Sequence, residues 1–439
     1  MGTALMRPAS KPLRLEGWAP SEVAAYLRHL DGLVFFDTAG NLPSSAIRPI
    51  SVIAARPRQI LKGSIFQNDA RQQLRAVIAA GPRASGDRGF PLGGLAGWID
   101  YEGDFVFGEY REMLVFCHDD GVWWEVGNLS ESLRKPDAQP LEIGNFVARC
   151  LRRDFTERVT RIKQWIAAGD IYQVNLSQRF DAQVLGGSLF GLYEILREAS
   201  PAPMAAYLSL AGREILSSSP ETFLKISGRG IETRPIKGTR PRFSDPDEDR
   251  RSAYELQTSA KEISELVMIT DLLRNDLGQV CEFGSVAVVE MLQLESLAQV
   301  HHLVSTVTGT LGENVDSIAA LAACFPGGSI TGAPKKRAME IIKEVENAPR
   351  GLYCGAIGWL GFNGESSLNI AIRTLIREGG QITYQTGAGI VADSEPEHEY
   401  EETLHKAEGI RLAIERWETI SLENQAKRLA QADADGDAG

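Results

Sequence analysis

Residues 235–239 read Pro-Ile-Lys-Gly-Thr, and Lys237 at their centre is the residue with the most chemical potential in this chain. It stands between an apolar stretch and a polar, charged loop, where a strand would end and present its side chain. A lysine amine attacks carbon only when neutral, which requires desolvation or nearby positive charge. Taken alone, Lys237 also reads as a solvated surface lysine beside Arg234 and Arg240. Glu221, in SSSPETF, would be a general acid if adjacent strands bring it to Lys237.

Two glutamate pairs share an i,i+3 spacing. Glu262 and Glu265 lie in AKEISELVMITDLLRNDLG, and Glu399 and Glu402 lie in EHEYEETLHKAEG. Each pair falls on one helix face. Four carboxylates converging from two helices would make an oxygen-rich site for a hard divalent ion, with Mg²⁺ favoured over Ca²⁺ where an open side is left for substrate. Each pair alone also suits a solvated helix face. The apolar LVMITDLL predicts a largely buried helix, whose carboxylates then need partners.

GGSITGAPKKRAMEII, from Gly327, reads as a glycine-rich loop entering a helix, a place where N–H groups take an anion. It is not a nucleotide-phosphate loop, because Ala333-Pro334 stand where Lys-Ser or Lys-Thr is required. Pro334 at a first helical position equally marks a helix start. Arg373, in NIAIRTL, reads as a charge inside an apolar strand, paired with a bound carboxylate or an internal one. His302, in VHHLVS, reads as a base, a hydrogen-bonding group or a structural residue.

These residues need a scaffold. The chain has 439 residues, 43% apolar and 24% charged, with a formal charge of −12. That balance disfavours a nucleic-acid surface, which needs a basic face. It suits an enzyme that meets a small anion with local cations. Five cysteines, at 117, 150, 281, 324 and 354, form no CxxC pair and fit a reducing, cytoplasmic setting. No secretory signal and no membrane span is visible. Residues 1–12 and 420–439 read as disordered ends. Residues 13–150 read as a β-rich part built of short strands separated by Gly, Pro and Asp turns, and 151–419 as alternating strands and helices. Helices are expected over 153–168, stopped at Gly169, and over about 250–277 and 397–418. Strand runs flank every helix, which favours one large α+β unit over separable domains.

Ten strings, in order from about residue 150 to 410, resemble the chorismate-utilising enzymes: GDIYQVNLSQRF, SSSPETF, ETRPIKGTRPR, ELVMITDLLRNDLG, HHLVSTVTG, GSITGAPKKRAMEII, YCGAIGWL, NIAIRT, QTGAGIVADS and EHEYEETLHKA. The resemblance implies a pair of antiparallel sheets packed as a sandwich, with helices outside and the site between. It implies Mg²⁺ bound by Glu265 and Glu402, with Glu262 and Glu399 in support. Tyr353, Arg373 and the backbone near Gly389 would hold the enolpyruvyl carboxylate of chorismate. His302, Ser329, Thr331 and Gly332 would line its ring.

Within the family, PIKGT together with the asparagine of YQVNL resembles the aminodeoxychorismate synthase component I branch. The anthranilate and isochorismate branches typically read PIAGT. The resemblance then implies attack by Lys237 at C2, with Glu221 as acid, followed by ammonia addition at C4. No cysteine lies in a Gly-x-Cys-x-Gly turn, so ammonia is expected from a separate glutamine amidotransferase partner. The competing branch is anthranilate synthase component I, which usually carries a Leu-Leu-Glu-Ser element where this chain has FFDTAGN.

Overall fold

A computed structural model describes residues 11–13, 15, 17–39, 49–82, 89–137, 141–297 and 299–421. The expected disordered ends fall mostly outside these residues. Lys11 and Pro12, assigned to such an end, instead form the strand Lys11–Leu13 against Trp123–Glu125. At the other end a helix occupies 408–421.

Two antiparallel sheets, of thirteen and ten strands, make the core of an α+β fold. Two-residue alternation decides the layers, because successive strand side chains point to opposite faces. In the larger sheet Val34, Val52, Leu208 and Ile215 face one core, while Phe35, Ile53, Tyr207 and Leu216 face another. The first group packs on Ala96, Trp98, Ile357 and Trp359 of the smaller sheet. The second group packs on helices through Val23, Leu27, Tyr193, Leu196 and Ile410. The smaller sheet's far face, with Leu95, Ile99, Phe107 and Leu368, is covered by Leu74, Phe155, Val159 and Ile341 of other helices. The result is helices, sheet, sheet, helices, as the resemblance implied. Among the described residues no helix is long and apolar enough to cross a membrane.

Both sheets draw strands from either side of residue 150. Val34–Asp37 pairs with Met204–Leu210, and Gly94–Ile99 pairs with Ala356–Gly361. The chain also changes sheets at two neighbouring points. Arg213–Ser219 belongs to the larger sheet and Thr222–Ser227 to the smaller; Glu365–Ile370 belongs to the smaller and Thr374–Glu378 to the larger. These crossings are tied together. The Ser219 hydroxyl donates to the Ile370 carbonyl at 2.6 Å, and the Ile370 N–H donates to the Glu221 carbonyl at 3.1 Å.

Helix expectations hold in part. Arg152–Ala167 is one helix, and Gly169 follows it with φ +82°. The helix expected over 250–277 is two, Pro246–Thr258 and Ala260–Gly278. Ser259 between them is extended, and its hydroxyl caps the second helix by accepting from the Glu262 N–H. The expected 397–418 helix turns at Ala407, giving Pro396–Lys406 and 408–421. LVMITDLL is buried along one face only: Leu266, Ile269, Thr270 and Leu273 are covered, whereas Val267 is 41% exposed.

One glycine of the 327–334 loop is required by close approach. Gly332 has φ +141° and pairs with Val174; a Cβ there would lie 2.1 Å from the Gln173 carbonyl oxygen. A Cβ added at Gly121, which has φ +67°, would meet nothing within 4 Å among the described residues. In urea unfolding, Gly121→Ala should cost about 1 kcal/mol for its left-handed backbone alone. Gly332→Ala should cost about 2 kcal/mol or more, because strand and loop must also separate. Equal costs would mean the loop yields freely at Gly332.

Candidate active site

The two sheet crossings each carry a charged residue. Glu221 sits on the first and is 5% exposed. Its carboxyl faces the Ser329 hydroxyl and the Ile236 N–H, with Lys237 and Lys406 as nearby cations. Burial outweighs these partners and pushes its pKa from 4.5 up to about 7. Arg373 sits on the second crossing, with φ +49°. It is therefore not inside a strand, as its apolar neighbours suggested, but on a bend between two strands. Among the described residues no carboxylate lies within ion-pairing distance of it. Burial lowers its pKa, and the charge of Glu221 opposes that shift.

Lys237 is the second residue of Ile236–Pro241, at the strand's beginning rather than its end. Its register partner is Leu303, while Thr239 pairs with His302, so Gly238 is an extra, bulged residue with φ +75°. Bulges re-aim the side chains beside them. Here Lys237 Nζ lies 3.5 Å from the Ser329 carbonyl oxygen and 3.9 Å from Glu265 Oε2, and its side chain is only 16% exposed. Lys237, Glu221 and Ser329 thus meet, although 92 positions separate Lys237 from Ser329.

His302 stands beside the bulge. Its Nδ1 lies 3.0 Å from Thr239 Oγ1 and 3.4 Å from the Gly238 carbonyl oxygen. A carbonyl only accepts, so Nδ1 carries the proton in that contact. Nε2 is buried and has no partner among the described residues. Burial and the Arg373 charge push its pKa down to about 3. His302 is therefore a neutral ring offering an acceptor nitrogen.

The 327–334 loop contributes unevenly. Gly328–Ile330 is a single 3₁₀ turn that presents Ser329. Thr331, expected to line the ring, is fully buried, and its hydroxyl donates back to the Gly327 and Gly328 carbonyls at 3.0 and 3.2 Å. Pro334 is the N-cap of Lys335–Val345 rather than its first helical residue. Tyr353 is 5% exposed and its hydroxyl faces Asn175. Asn175 in turn stands opposite Gly389 in the ladder between Gln173–Gly186 and Gln381–Ile390.

The four glutamates do approach one another. Burial, with neighbouring glutamate charges adding to it, raises the pKa of Glu262 and Glu399; that of Glu402 is lowered, because Lys406 and other lysines outweigh its burial. Glu399 Oε2 is buried and has no hydrogen-bond partner among the described residues. Among the described residues, however, no three His, Cys, Asp or Glu side chains converge tightly enough to hold a metal ion. Glu265 accepts instead from Gln173 Nε2 at 2.9 Å, and Glu399 from the Ser394 hydroxyl at 2.6 Å.

Sequence reasoning missed Gln173 and Arg350. Arg350 is 2% exposed and donates to both Glu346 oxygens at 2.8 Å, to the Ile330 carbonyl at 3.1 Å and to the Asn175 carbonyl at 2.7 Å. It also lies over Tyr101, 4.7 Å from the ring centre. One residue thus pins the loop, the long strand and an aromatic wall. Its i,i+4 spacing from Glu346 was the available signal.

Comparison with known proteins accords with this geometry. The profile of a family described as chorismate binding enzyme matches residues 87–411. Over 279 residues the chain is 46% identical to aminodeoxychorismate synthase component 1 of Bacillus subtilis (strain 168), covering 64% of this chain and 59% of that protein's length. Over 355 residues it is 39% identical to anthranilate synthase component 1 of Methanothermobacter thermautotrophicus, covering 76% of each. Among solved structures, anthranilate synthase component I from Streptococcus pneumoniae TIGR4 superposes with a TM-score of 0.72 at 29% identity, over 84% of this chain and 93% of that one. The menaquinone-specific isochorismate synthase of Escherichia coli superposes with a TM-score of 0.74 at 17% identity, over 93% and 95%, and so shares the fold. The chain belongs to the chorismate-binding enzyme family.

Proposed function

We propose that this chain aminates chorismate at C4, giving 4-amino-4-deoxychorismate, the precursor of p-aminobenzoate and folate. The observation that carries the reading is Lys237 Nζ, shielded from water and 3.5 Å from the Ser329 carbonyl, with the buried acid Glu221 facing the same serine. A nucleophile and an acid in one dry cleft are what displacement of a hydroxyl requires. The name of the Bacillus subtilis relative supports the same branch.

Chorismate is a dianion entering a protein of charge −12. Arg373, which among the described residues has no carboxylate within ion-pairing distance, would take the enolpyruvyl carboxylate, with Tyr353 and the Gly389 backbone beside it. His302 and Ser329 would line the ring. Carboxylates of this kind, one with a buried oxygen that lacks a partner among the described residues, suit a hard ion that needs only one or two of them beside water and substrate oxygens. Glu265 and Glu402 would hold Mg²⁺, with Glu262 and Glu399 in support; bound there it would neutralise the ring carboxylate as a Lewis acid.

The Lys237 amine attacks C2 as both conjugated ring double bonds shift and the C4–O bond breaks. Glu221 gives its proton to the departing hydroxyl, which leaves as water. Ammonia then adds at C4, both double bonds shift back and the Lys237 amine leaves. Glu221 regains a proton from the incoming nitrogen. Ammonia would come from a separate glutamine amidotransferase. Among the described residues no two cysteines form a disulfide, in keeping with work in a reducing cytoplasm.

Anthranilate synthesis is the second reading, favoured by the Methanothermobacter relative that spans three quarters of the chain. Products separate the two. With chorismate, MgCl₂ and ammonium, p-aminobenzoate should form only when aminodeoxychorismate lyase is added. Anthranilate and pyruvate appearing without the lyase would assign the tryptophan branch instead.

Lys237→Ala should lower the rate by on the order of 100-fold or more; full activity would remove the nucleophile. EDTA should abolish turnover and excess Mg²⁺ restore it.

Glu221 also links stability to pH. Its pKa is raised from 4.5 to about 7, so over that interval the folded chain keeps a proton that the unfolded chain has lost. Stability must fall as pH rises through this window, by at most about 3 kcal/mol. Glu221→Gln should therefore gain on the parent between pH 5 and pH 8 in urea unfolding. A constant difference would place the proton elsewhere.

A further inference from the structure

Three of the four glutamates each hold a lysine. Lys237 lies 3.9 Å from Glu265, Lys261 3.7 Å from Glu399 and Lys406 2.6 Å from Glu402. Lys261 is within electrostatic reach of all four carboxylates. Four carboxylates cannot stay ionised side by side without compensation, and these ammonium groups supply it.

We infer that the three lysines are exchangeable stand-ins for the divalent cation, and that their departure from the carboxylates frees Lys237 for substrate. The inference rests on the metal reading above. Three ammonium groups against four carboxylates leave one net negative charge. A divalent ion among the same carboxylates, with every lysine still in place, would set five positive charges against four. The ion and the ammonium groups repel one another and compete for the same carboxylate oxygens, so the lysines yield.

Exposure decides where each goes. The Lys261 and Lys406 side chains are both 47% exposed and can swing into water. The Lys237 side chain is 16% exposed and has no such exit. Its other neighbours are the Ser329 carbonyl and Glu221, both on the substrate side. Filling the carboxylate site therefore turns the nucleophile inward. The ammonium that sets metal affinity is Lys261, which the chemistry itself does not use.

Mn²⁺ titrated into the full chain, with chorismate but no ammonia, tests this through the electron paramagnetic resonance signal of the free ion. Lys261→Met removes the competing charge on a half-exposed side chain and should tighten Mn²⁺ binding by about five- to tenfold. Lys261→Arg keeps the charge and should stay near the parent. Labelling of Lys237 by an amine-reactive reagent, read by mass spectrometry without chorismate, should rise when Mn²⁺ is added. Equal Mn²⁺ affinity in parent and Lys261→Met overturns the inference and leaves the metal reading standing. Absence of Mn²⁺ binding in all three folded proteins overturns both.

Discussion

The 2.6 Å hydrogen bond from the Ser219 hydroxyl to the Ile370 carbonyl joins the two places where the chain leaves one sheet for the other. A strand that changes sheets breaks its ladder and strands backbone groups that must find partners. Here the broken ends satisfy each other. Ile370 N–H donates to the Glu221 carbonyl, Ser218 N–H to the Arg373 carbonyl, and Cys354 N–H to the Ala371 carbonyl, all at 2.9–3.1 Å. Cys354 and Arg373 take positive φ to make these contacts possible. Non-glycine residues hold that conformation only where the surroundings over-determine it. The acid, the arginine and the tyrosine are thus placed by backbone bonds between sheets rather than by a flexible loop.

On this frame the electrostatics divide into two kinds. Arg350 and Glu346 form a sealed pair, 1% and 7% exposed, whose loss of one member would cost about 3–5 kcal/mol by leaving a buried charge alone. That pair is a fixture, holding the loop against the long strand. The glutamate–lysine pairs are looser, with two lysines half in solvent, and exposed pairs contribute about 1 kcal/mol or less. The structure therefore spends its strong interactions on position and leaves the weak ones where charge must rearrange.

The pattern of residues revealed the layers better than it revealed the side-chain directions. The mixture of strand runs on both sides of each helix indicated a single α+β unit, and the ordered motifs indicated paired sheets. Glu221 and Lys237 meet at Ser329 rather than across adjacent strands, because Gly230–Arg234 and Val300–Thr310 lie between Thr222–Ser227 and Ile236–Pro241. Arg373 was misplaced for a physical reason: NIAIRTL is apolar because it is buried at a crossing, and burial alone does not distinguish a strand from a buried bend. The split at Ser259 was missed because continuous amphipathic spacing hid a residue that caps one helix while ending another. Thr331 looked like a binding hydroxyl, yet its nearest acceptors are its own loop's carbonyls. Gly238 was legible only as a glycine; that it is a bulge depends on Val300–Thr310, some sixty residues away in sequence.

The pairing of Gly94–Ile99 has a consequence for the chain during its synthesis. One edge of this strand is taken by Asp104–Tyr110, almost as soon as both have been made. The other edge waits for Ala356–Gly361. At about 5–20 residues per second, the roughly 260 residues between them take on the order of 15–50 s to emerge from the ribosome. All six residues of the waiting strand are buried in the finished protein. Through that interval the nascent chain carries an open apolar edge, the kind of surface that recruits other strands. The interleaving that makes the cleft rigid thus makes the growing polypeptide dependent on whatever shields that edge until its partner arrives.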